Sequence, residues 1–325
     1  MLKVSIAALA AAIALAGCSR SHAESSLPQA TGHQTVTVVA RGVPTPTEFA
    51  SLAGRLFVAA YGDEQDATAP GGVYVLGDGK ATKVPGSPQH VYGIAAAKNT
   101  LYLSTSQALL AWSGWDGTRF RKTRVIRTPT GYGNFKGPAI GPDGLIYVGA
   151  DTDPRPSAAP TPTTSVSFVS VDPATGSTTV IANGIRQPWQ PVFLPGHALP
   201  LVSALNQDDL GPHRPRDYLL AIERGANYGF PTCPATPSTC RNYAQPLVQL
   251  PPHSSPMGLG YLNGKLYVAL YGGLGKGPVV VSMPPGGGTP TPFLSGFPAP
   301  VIALGTAGGS LYVGDQSGVI YRVTP

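Results

Sequence analysis

The stretch NGKLYVA (263–269) joins a tight Asn-Gly turn to a short run of alternating apolar residues. Asn-Gly is a strong turn signal between two apolar runs. Period-two alternation of Leu, Tyr and Val is typical of a half-buried strand. We therefore predict a strand–turn–strand unit here.

Similar strands recur along the chain, mostly at a spacing of about 45 to 50 residues, a period that indicates a propeller or a similar array. They lie at residues 55–59, 100–104, 145–148, 199–203, 265–269 and 310–314. One such unit cannot bury its own faces, so neighbouring units must supply the core. Six units fit the length, and the predicted fold is an all-β, six-bladed β-propeller. A single β-sandwich is the alternative, but it leaves the repeat unexplained.

An extra strand precedes the first unit. Residues 34–39 read QTVTVV, with the same alternation. We predict that this strand pairs with the last blade, because closing the ring in this way removes exposed sheet edges.

The N-terminus has the pattern of an export signal. Lys3 is followed by an apolar run at 4–16, which is too short to span a membrane. The run ends in Leu15-Ala16-Gly17-Cys18, which resembles a bacterial lipobox with Cys18 as the lipidated residue. The expected organisation is a signal peptide at 1–17, a tether at 18–33 and a propeller at 34–325. An ordinary secretory signal cut near Ala23 is the alternative.

Ser19 follows the lipobox. By resemblance to known sorting rules, a residue other than Asp at this place implies the periplasmic face of the outer membrane. A lipid anchor is then the expected membrane contact.

Composition supports short strands and tight turns. Gly 41 and Pro 35 make up more than a fifth of the 325 residues, and only 12% are charged, which disfavours long amphipathic helices. The net charge of +6 is expected to be spread along the chain, without the clustered Lys and Arg of a nucleic-acid binder. We therefore expect no nucleic-acid partner.

Cys233 and Cys240 form an even pair once Cys18 is assigned to the anchor. In an exported protein such a pair indicates a disulfide. A metal or redox pair is the alternative. It is disfavoured because the spacing is not CxxC and no His or Cys flanks the pair.

Five segments together resemble the glucose/sorbosone dehydrogenases, which are six-bladed quinoproteins that use pyrroloquinoline quinone (PQQ). The specific one is NQDDLGPHRPRDYLLAIERGANYGFP (206–231), a dense polar loop region. The other four are GPAIGPDGLIYVGAD (137–151), GIRQPWQPVF (184–193), HSSPMGLGYLNGKLYVALYGG (253–273) and GGSLYVGDQSGVIYRV (308–323). The resemblance implies oxidation of a sugar or aldose by hydride transfer to PQQ, with Ca²⁺ beside the quinone and a periplasmic electron acceptor.

A calcium site is implied in the loop region. The positions that match the family's oxygen ligands are Gly211, Pro212, Asp217 and Tyr228. Ca²⁺ binds several oxygens, and backbone carbonyls on a constrained loop suit it. The alternative interpretation is a turn that packs under the disulfide loop.

Four further residues are implied to contact the cofactor. Arg186 matches the Arg of a family turn in which Gln187 replaces Asn, His253 stands in the HSSP turn, and Lys276 follows the strand of the fifth blade. Cations suit the carboxylates of the quinone. For Lys276 an ordinary surface position is an equally good interpretation.

The chain also departs from the family. Its general-base position holds Gly133, and the last blade opens with Phe297-Pro298-Ala299-Pro300 and no charge. His90, at a blade entrance, is a hypothetical substitute, and an ordinary surface-loop position is the alternative interpretation. A binding propeller that has lost the redox site is therefore the alternative function. A lactonase-type hydrolase is disfavoured, because few acidic residues precede the strands.

Overall fold

The computed structural model describes residues 27–63, 68–77, 79–151, 166–207, 210–233 and 240–324. The predicted signal peptide, Cys18 and the Pro-rich segment 152–165 lie outside these ranges. Within them the chain is all-β, with 25 strands in six sheets and no helix. It follows that the described part contains no helix that could cross a membrane.

The strands before the third blade lie within residues 29–127. They are β1 (Gln29–Ala30), β2 (Thr35–Ala40), β3 (Pro46–Leu52), β4 (Arg55–Gly62), β5 (Pro70–Gly77), β6 (Lys80–Lys83), β7 (Val91–Ala97), β8 (Thr100–Thr105), β9 (Leu109–Trp115) and β10 (Phe120–Arg127). Strands β3 to β6 form blade one and β7 to β10 form blade two, each in the order of the chain.

Blades three and four follow the same plan. Their strands are β11 (Asn134–Ile140), β12 (Ile146–Asp151), β13 (Ser167–Val171), β14 (Thr178–Asn183), β15 (Gln187–Val192), β16 (Leu201–Leu205), β17 (Tyr218–Ala221) and β18 (Val248–Gln249).

Blades five and six contain the remaining strands. These are β19 (Pro256–Leu262), β20 (Lys265–Leu270), β21 (Val279–Met283), β22 (Thr291–Ser295), β23 (Val301–Ala307), β24 (Ser310–Asp315) and β25 (Ile320–Thr324). Strand β1 adds to β22 as a fifth strand of blade five. Strand β2 completes blade six by pairing with β25.

The six-bladed propeller predicted from the repeat is confirmed. The first strand of each blade contacts the first strand of the next, and β23 contacts β3, which closes the ring. The predicted closing strand is also confirmed, because Val36 of β2 pairs with Val323 of β25.

The core lies between neighbouring blades, as the repeat predicts. Phe57 of blade one, for example, is fully buried and packs its ring edge-to-face against Trp115 of blade two at 5.0 Å. Clusters of this kind join the blades around the ring.

Each innermost strand carries a β-bulge near its first residue. The innermost strand has one residue more than its partner in each of six intervals: Pro46 to Glu48, Val91 to Gly93, Phe135 to Pro138, Pro188 to Pro191, Pro256 to Leu259, and Val301 to Ala303. A bulge re-aims a side chain and bends its strand. We call the end of the central channel where these strands begin the mouth.

The predicted disulfide between Cys233 and Cys240 is confirmed, with the Cα atoms 5.8 Å apart. It lies beyond β17, in the long excursion of blade four. Residues 234–239, which it encloses, lie outside the described residues.

Candidate functional site

A buried lysine lies at the mouth. Lys136 occupies the bulge of β11 and is only 5% exposed. Its Nζ atom lies 3.2 Å from Oδ2 of Asp151. The same atom lies 4.3 Å from the ring centre of Tyr92 and 5.2 Å from that of Trp189. The cation is therefore held by one carboxylate and by cation–π contacts from the two flanking blades.

Aromatic rings continue the site across blades one, two and four. Tyr92 meets Trp189 edge-on at 6.5 Å and Tyr61 at 5.2 Å, and Tyr61 in turn contacts the His90 ring at 4.8 Å. All four rings are half-buried. We use the name mouth cluster for these rings together with Lys136, Asp151 and Gln187.

His90 has a defined ring orientation. Its Nδ1 lies 3.1 Å from the carbonyl oxygen of Tyr61. A carbonyl oxygen can only accept a hydrogen bond, so Nδ1 carries the proton. In the neutral ring Nε2 then has the lone pair and can accept a proton.

Asp151 is fixed by donors from two blades. Besides Lys136, the side chain of Gln187 donates to its Oδ2 at 3.2 Å. Burial raises the pKa of Asp151, although the Lys136 charge and these hydrogen bonds act in the opposite direction. The carboxylate is only 2% exposed, so the pair stands in a medium of low dielectric.

A second polar pair lies deeper in the channel. The Glu48 side chain of blade one accepts a hydrogen bond from the Ile94 amide at 2.8 Å and another from the Gln190 side chain of blade four. Gln190 also accepts from the Leu259 amide at 3.0 Å and donates to the Leu304 carbonyl at 3.3 Å. Burial raises the pKa of Glu48 well above its usual value.

The structure brings two of the predicted cofactor residues to the mouth. Gln187 belongs to the mouth cluster. Its neighbour Arg186 is 8% exposed, and its guanidinium donates to the backbone carbonyl of Asn206.

The other two predicted cofactor residues belong to blade five. His253 has its Nε2 3.0 Å from the Gly211 carbonyl oxygen. Lys276 is exposed in the loop between β20 and β21, and no residue in the described ranges forms a hydrogen bond or ion pair with it.

The predicted calcium ligands have protein partners. The Asp217 carboxylate, 4% exposed, accepts from the amides of Asn206 at 2.7 Å and Ser255 at 2.8 Å. Its backbone carbonyl accepts from Leu250 at 2.8 Å. These bonds tie the loop region to the HSSP turn.

The other predicted calcium positions are Gly211, Pro212 and Tyr228. The Gly211 carbonyl faces His253, whereas Pro212 is exposed. The Tyr228 hydroxyl donates to the Ala221 carbonyl, and burial raises its pKa to about 12. Among the described residues no three His, Cys, Asp or Glu side chains are grouped to hold a metal. A calcium site built from backbone carbonyls needs no such group of side chains, so it stays a prediction.

The departures from the family are visible in the fold. Gly133 is exposed, with a φ of 71°, and directly precedes β11. Phe297 packs into the core against Tyr321, with ring centres 5.7 Å apart, and is not a mouth residue.

The sequence predictions did not include three residues of the mouth, namely Tyr92, Lys136 and Trp189. All three lie in bulges of consecutive innermost strands. An alignment of VYG (91–93), FKG (135–137) and PWQ (188–190) places them in one column. Aligning the blade repeats with one another in this way would have identified the three residues from the sequence.

Solved structures provide the comparison with known proteins, since no protein-family model and no curated protein sequence matches this chain. The PQQ-bound aldose sugar dehydrogenase of Streptomyces coelicolor is 21% identical, with a TM-score of 0.70, over 91% of this chain and 99% of the other. The apo form of the soluble aldose sugar dehydrogenase of Escherichia coli is 15% identical, with a TM-score of 0.70, over 90% and 99%.

A fungal structure is also similar. The Trichoderma reesei carbohydrate-active enzyme of family AA12 is 17% identical, with a TM-score of 0.74, over 92% of this chain and 97% of the other. The chain shares the fold of these proteins. At such identities the likeness establishes the fold, and the function has to be argued from the site.

Proposed function

We propose that this protein is a sugar dehydrogenase-like quinoprotein, which oxidises a sugar or aldose by hydride transfer to PQQ at the mouth of the propeller. The observation that carries the proposal is the mouth cluster. It sets aromatic faces around a buried cation and carboxylate in a fold shared with a PQQ-bound aldose sugar dehydrogenase.

The donor set at the mouth fits a planar polycarboxylate such as PQQ. Lys136 and Arg186 supply positive charge, and Gln187 supplies an amide donor. The half-buried rings of Tyr92 and Trp189 supply flat surfaces for stacking. When bound, PQQ supplies the quinone that accepts a hydride.

Calcium stays a prediction from the family resemblance. The oxygens of Gly211 and Asp217 already accept hydrogen bonds from the protein. No step of the proposal therefore passes through the ion.

The chain's own groups have defined tasks in this proposal. The aromatic face of Tyr61 binds and orients the sugar ring. Oxidation of a sugar hydroxyl releases a proton together with the hydride, and Nε2 of His90 takes that proton. Asp151 holds Lys136 in place and lowers the net charge of the site.

The electron acceptor and the cellular location are also proposals. Electrons leave to a periplasmic acceptor, and lipidated Cys18 anchors the protein to the periplasmic face of the outer membrane. The tether would end in β1, which is paired to the outer edge of blade five.

A non-catalytic binding propeller is the second candidate. Two observations favour it: Gly133 stands at the family's base position, and the predicted calcium oxygens are engaged by protein donors. Such a protein would bind a sugar or quinone at the same mouth without turnover.

One titration separates these functions. Purified protein is mixed with PQQ, in Ca²⁺ or in a chelator, and the melting temperature, the quinone absorbance and the reduction of a dye by aldoses are measured. Stabilisation with dye reduction supports the dehydrogenase. Stabilisation without reduction supports the binding propeller, and the absence of both overturns the proposed quinone site.

A His90→Ala variant tests the proton acceptor. Quinone binding should persist, because Lys136 and Arg186 are kept, whereas dye reduction should fall by about 10²- to 10⁴-fold, as expected for loss of a general base. Unchanged dye reduction would exclude His90 from this role.

A further inference from the structure

Blade two has a strongly basic outer edge. Residues 116–127 contain five cations and one carboxylate, a net charge of +4 in a chain whose total is +6. The cations are Arg119, Arg121, Lys122, Arg124 and Arg127. The even spread of charge that we expected from the sequence does not hold here, because strand β10 concentrates it.

The charges lie on both faces of β10. Residues 121–125 are all exposed, and Val125 is 56% exposed. Successive side chains of a strand point to opposite faces, so Arg121 and Lys122 flank the strand on its two sides. Asp116 is the one acid within 116–127, and it pairs with Arg121 at 3.1 Å and Arg119 at 3.8 Å. Asp172 of blade three directly precedes Pro173, whose carbonyl accepts from Arg124.

The outer edge of β10 is available for pairing over most of its length. In the described part of the chain its only strand neighbour is β9. Near its C-terminal end, Arg124 donates to the Pro173 carbonyl and Gly176 lies against the Ile126 carbonyl, so blade three covers that end. An unpaired edge is a template for another strand.

The same fold shows that a blade can take such a strand. On blade five, β1 pairs antiparallel with the outer strand β22, with Gln29 opposite Ser295. Strand β10 is the corresponding outer strand of blade two, and its eight residues make it longer than β22, which has five.

We propose that the outer edge of β10 is a docking site for an acidic, extended segment of a partner protein, which adds to blade two as a fifth strand. Backbone hydrogen bonds along the edge would hold the segment, and its carboxylates would meet cations on both sides of the strand. An anionic membrane is the weaker fit, because a flat surface cannot contact the cations on both faces of one strand at once.

The test uses a fluorescent peptide of the length of β10 with alternating Glu and Thr. Its binding to the purified protein is followed by fluorescence anisotropy, and hydrogen exchange of the β10 amides is measured with and without peptide. We expect saturable binding that weakens with salt, together with slower exchange in β10. A peptide N-methylated at alternate residues keeps the charge but cannot pair, and it should bind at least about tenfold more weakly.

Charge-reversal variants supply the matched control. Arg121→Glu, Lys122→Glu and Arg124→Glu together should weaken peptide binding by about tenfold or more. The control combines Lys80→Glu, Lys98→Glu and Lys265→Glu, three exposed lysines outside β10, which change the net charge equally and should leave binding unchanged. Circular dichroism verifies that both variants fold.

Several results would overturn the proposal. These are equal binding by the N-methylated peptide, equal weakening by the control variant, and an absence of binding. Phosphatidylglycerol vesicles or an oligonucleotide could bind more tightly than the peptide, with a dependence on the β10 cations. In that case the partner would be a membrane or a nucleic acid and not an acidic strand. The peptide assay requires no quinone, so its failure is distinct from failure of the proposed dehydrogenase.

Discussion

Lys136 and Asp151 form an ion pair of 3.2 Å between the two innermost strands of blade three, with the side chains only 6% and 2% exposed. Burial costs both charges solvation, which the attraction between them and the two aromatic rings must offset. Such a pair adds little net stability. Removal of one partner, however, leaves the other charge buried without a counter-charge. The position of the pair at the channel mouth therefore fits a functional role better than a stabilising one.

A double-mutant cycle tests this pair. Asp151→Asn leaves a buried cation without a counter-charge and should lower the free energy of unfolding by about 3–5 kcal/mol. Lys136→Met should cost less, because burial already raises the pKa of Asp151 and the carboxyl can take up a proton. The double variant should recover most of the loss, as measured by urea unfolding. Additive losses would show that the two side chains are not coupled.

The buried Glu48 leads to a prediction about how the stability of the fold depends on pH. Its pKa is raised in the folded protein, so the folded state binds a proton more tightly than the unfolded chain, in which glutamate titrates near about 4.3. Above that pH the stability contribution of this group should therefore fall as pH rises towards its folded pKa. Glu48→Gln mimics the protonated side chain and should become progressively more stable than the wild type as pH increases, in thermal unfolding scans.

The control for Glu48 is an exposed glutamate. Glu223→Gln removes the same charge at the surface and should leave the pH dependence of unfolding nearly unchanged. If Glu48→Gln tracks the wild type at every pH, the carboxyl is not held protonated in the channel.

The fold could be predicted from the sequence because its signals are local and repeated. Alternation in 266–269 and 311–313 marks strands, their spacing marks blades, and QTVTVV at 34–39 marks the closing strand. Each signal depends on a few adjacent residues, and six copies reinforce one another.

The candidate site was predicted less well, because its geometry depends on bulges and on contacts between distant blades. Arg186 and Gln187 do lie at the mouth, but Lys136 and Trp189 were missed. In the sequence Lys136 looks like an ordinary lysine. In the structure the bulge in β11 turns it towards the rings of Tyr92 and Trp189, each more than forty residues away in the chain. Hydrophobic periodicity carries no information about such contacts.

The disulfide offers a stability prediction. Replacing Cys233 and Cys240 together by Ser removes a short covalent loop and should lower the free energy of unfolding by about 2 to 3 kcal/mol, the chain-entropy value for a loop of this length. Urea unfolding of the variant checks the value. Cys233 lines a small cavity together with Arg186 and Asn206, so quinone binding by the folded variant shows whether the disulfide loop supports this side of the mouth. Loss of quinone binding in a folded variant would place the disulfide loop at the site.

Trp189 tests whether the aromatic faces at the mouth bind a planar ligand. Trp189→Ala removes a half-buried ring and one cation–π partner of Lys136, and should weaken PQQ binding by about tenfold, since an aromatic contact contributes about 0.5–1.5 kcal/mol. Trp189→Phe keeps a flat ring and should lose less. Trp115→Phe, which alters a ring packed between blades one and two, controls for general effects on folding. Binding is measured from the change in quinone absorbance, and equal affinity in Trp189→Ala and the wild type would show that the ligand does not stack on this face.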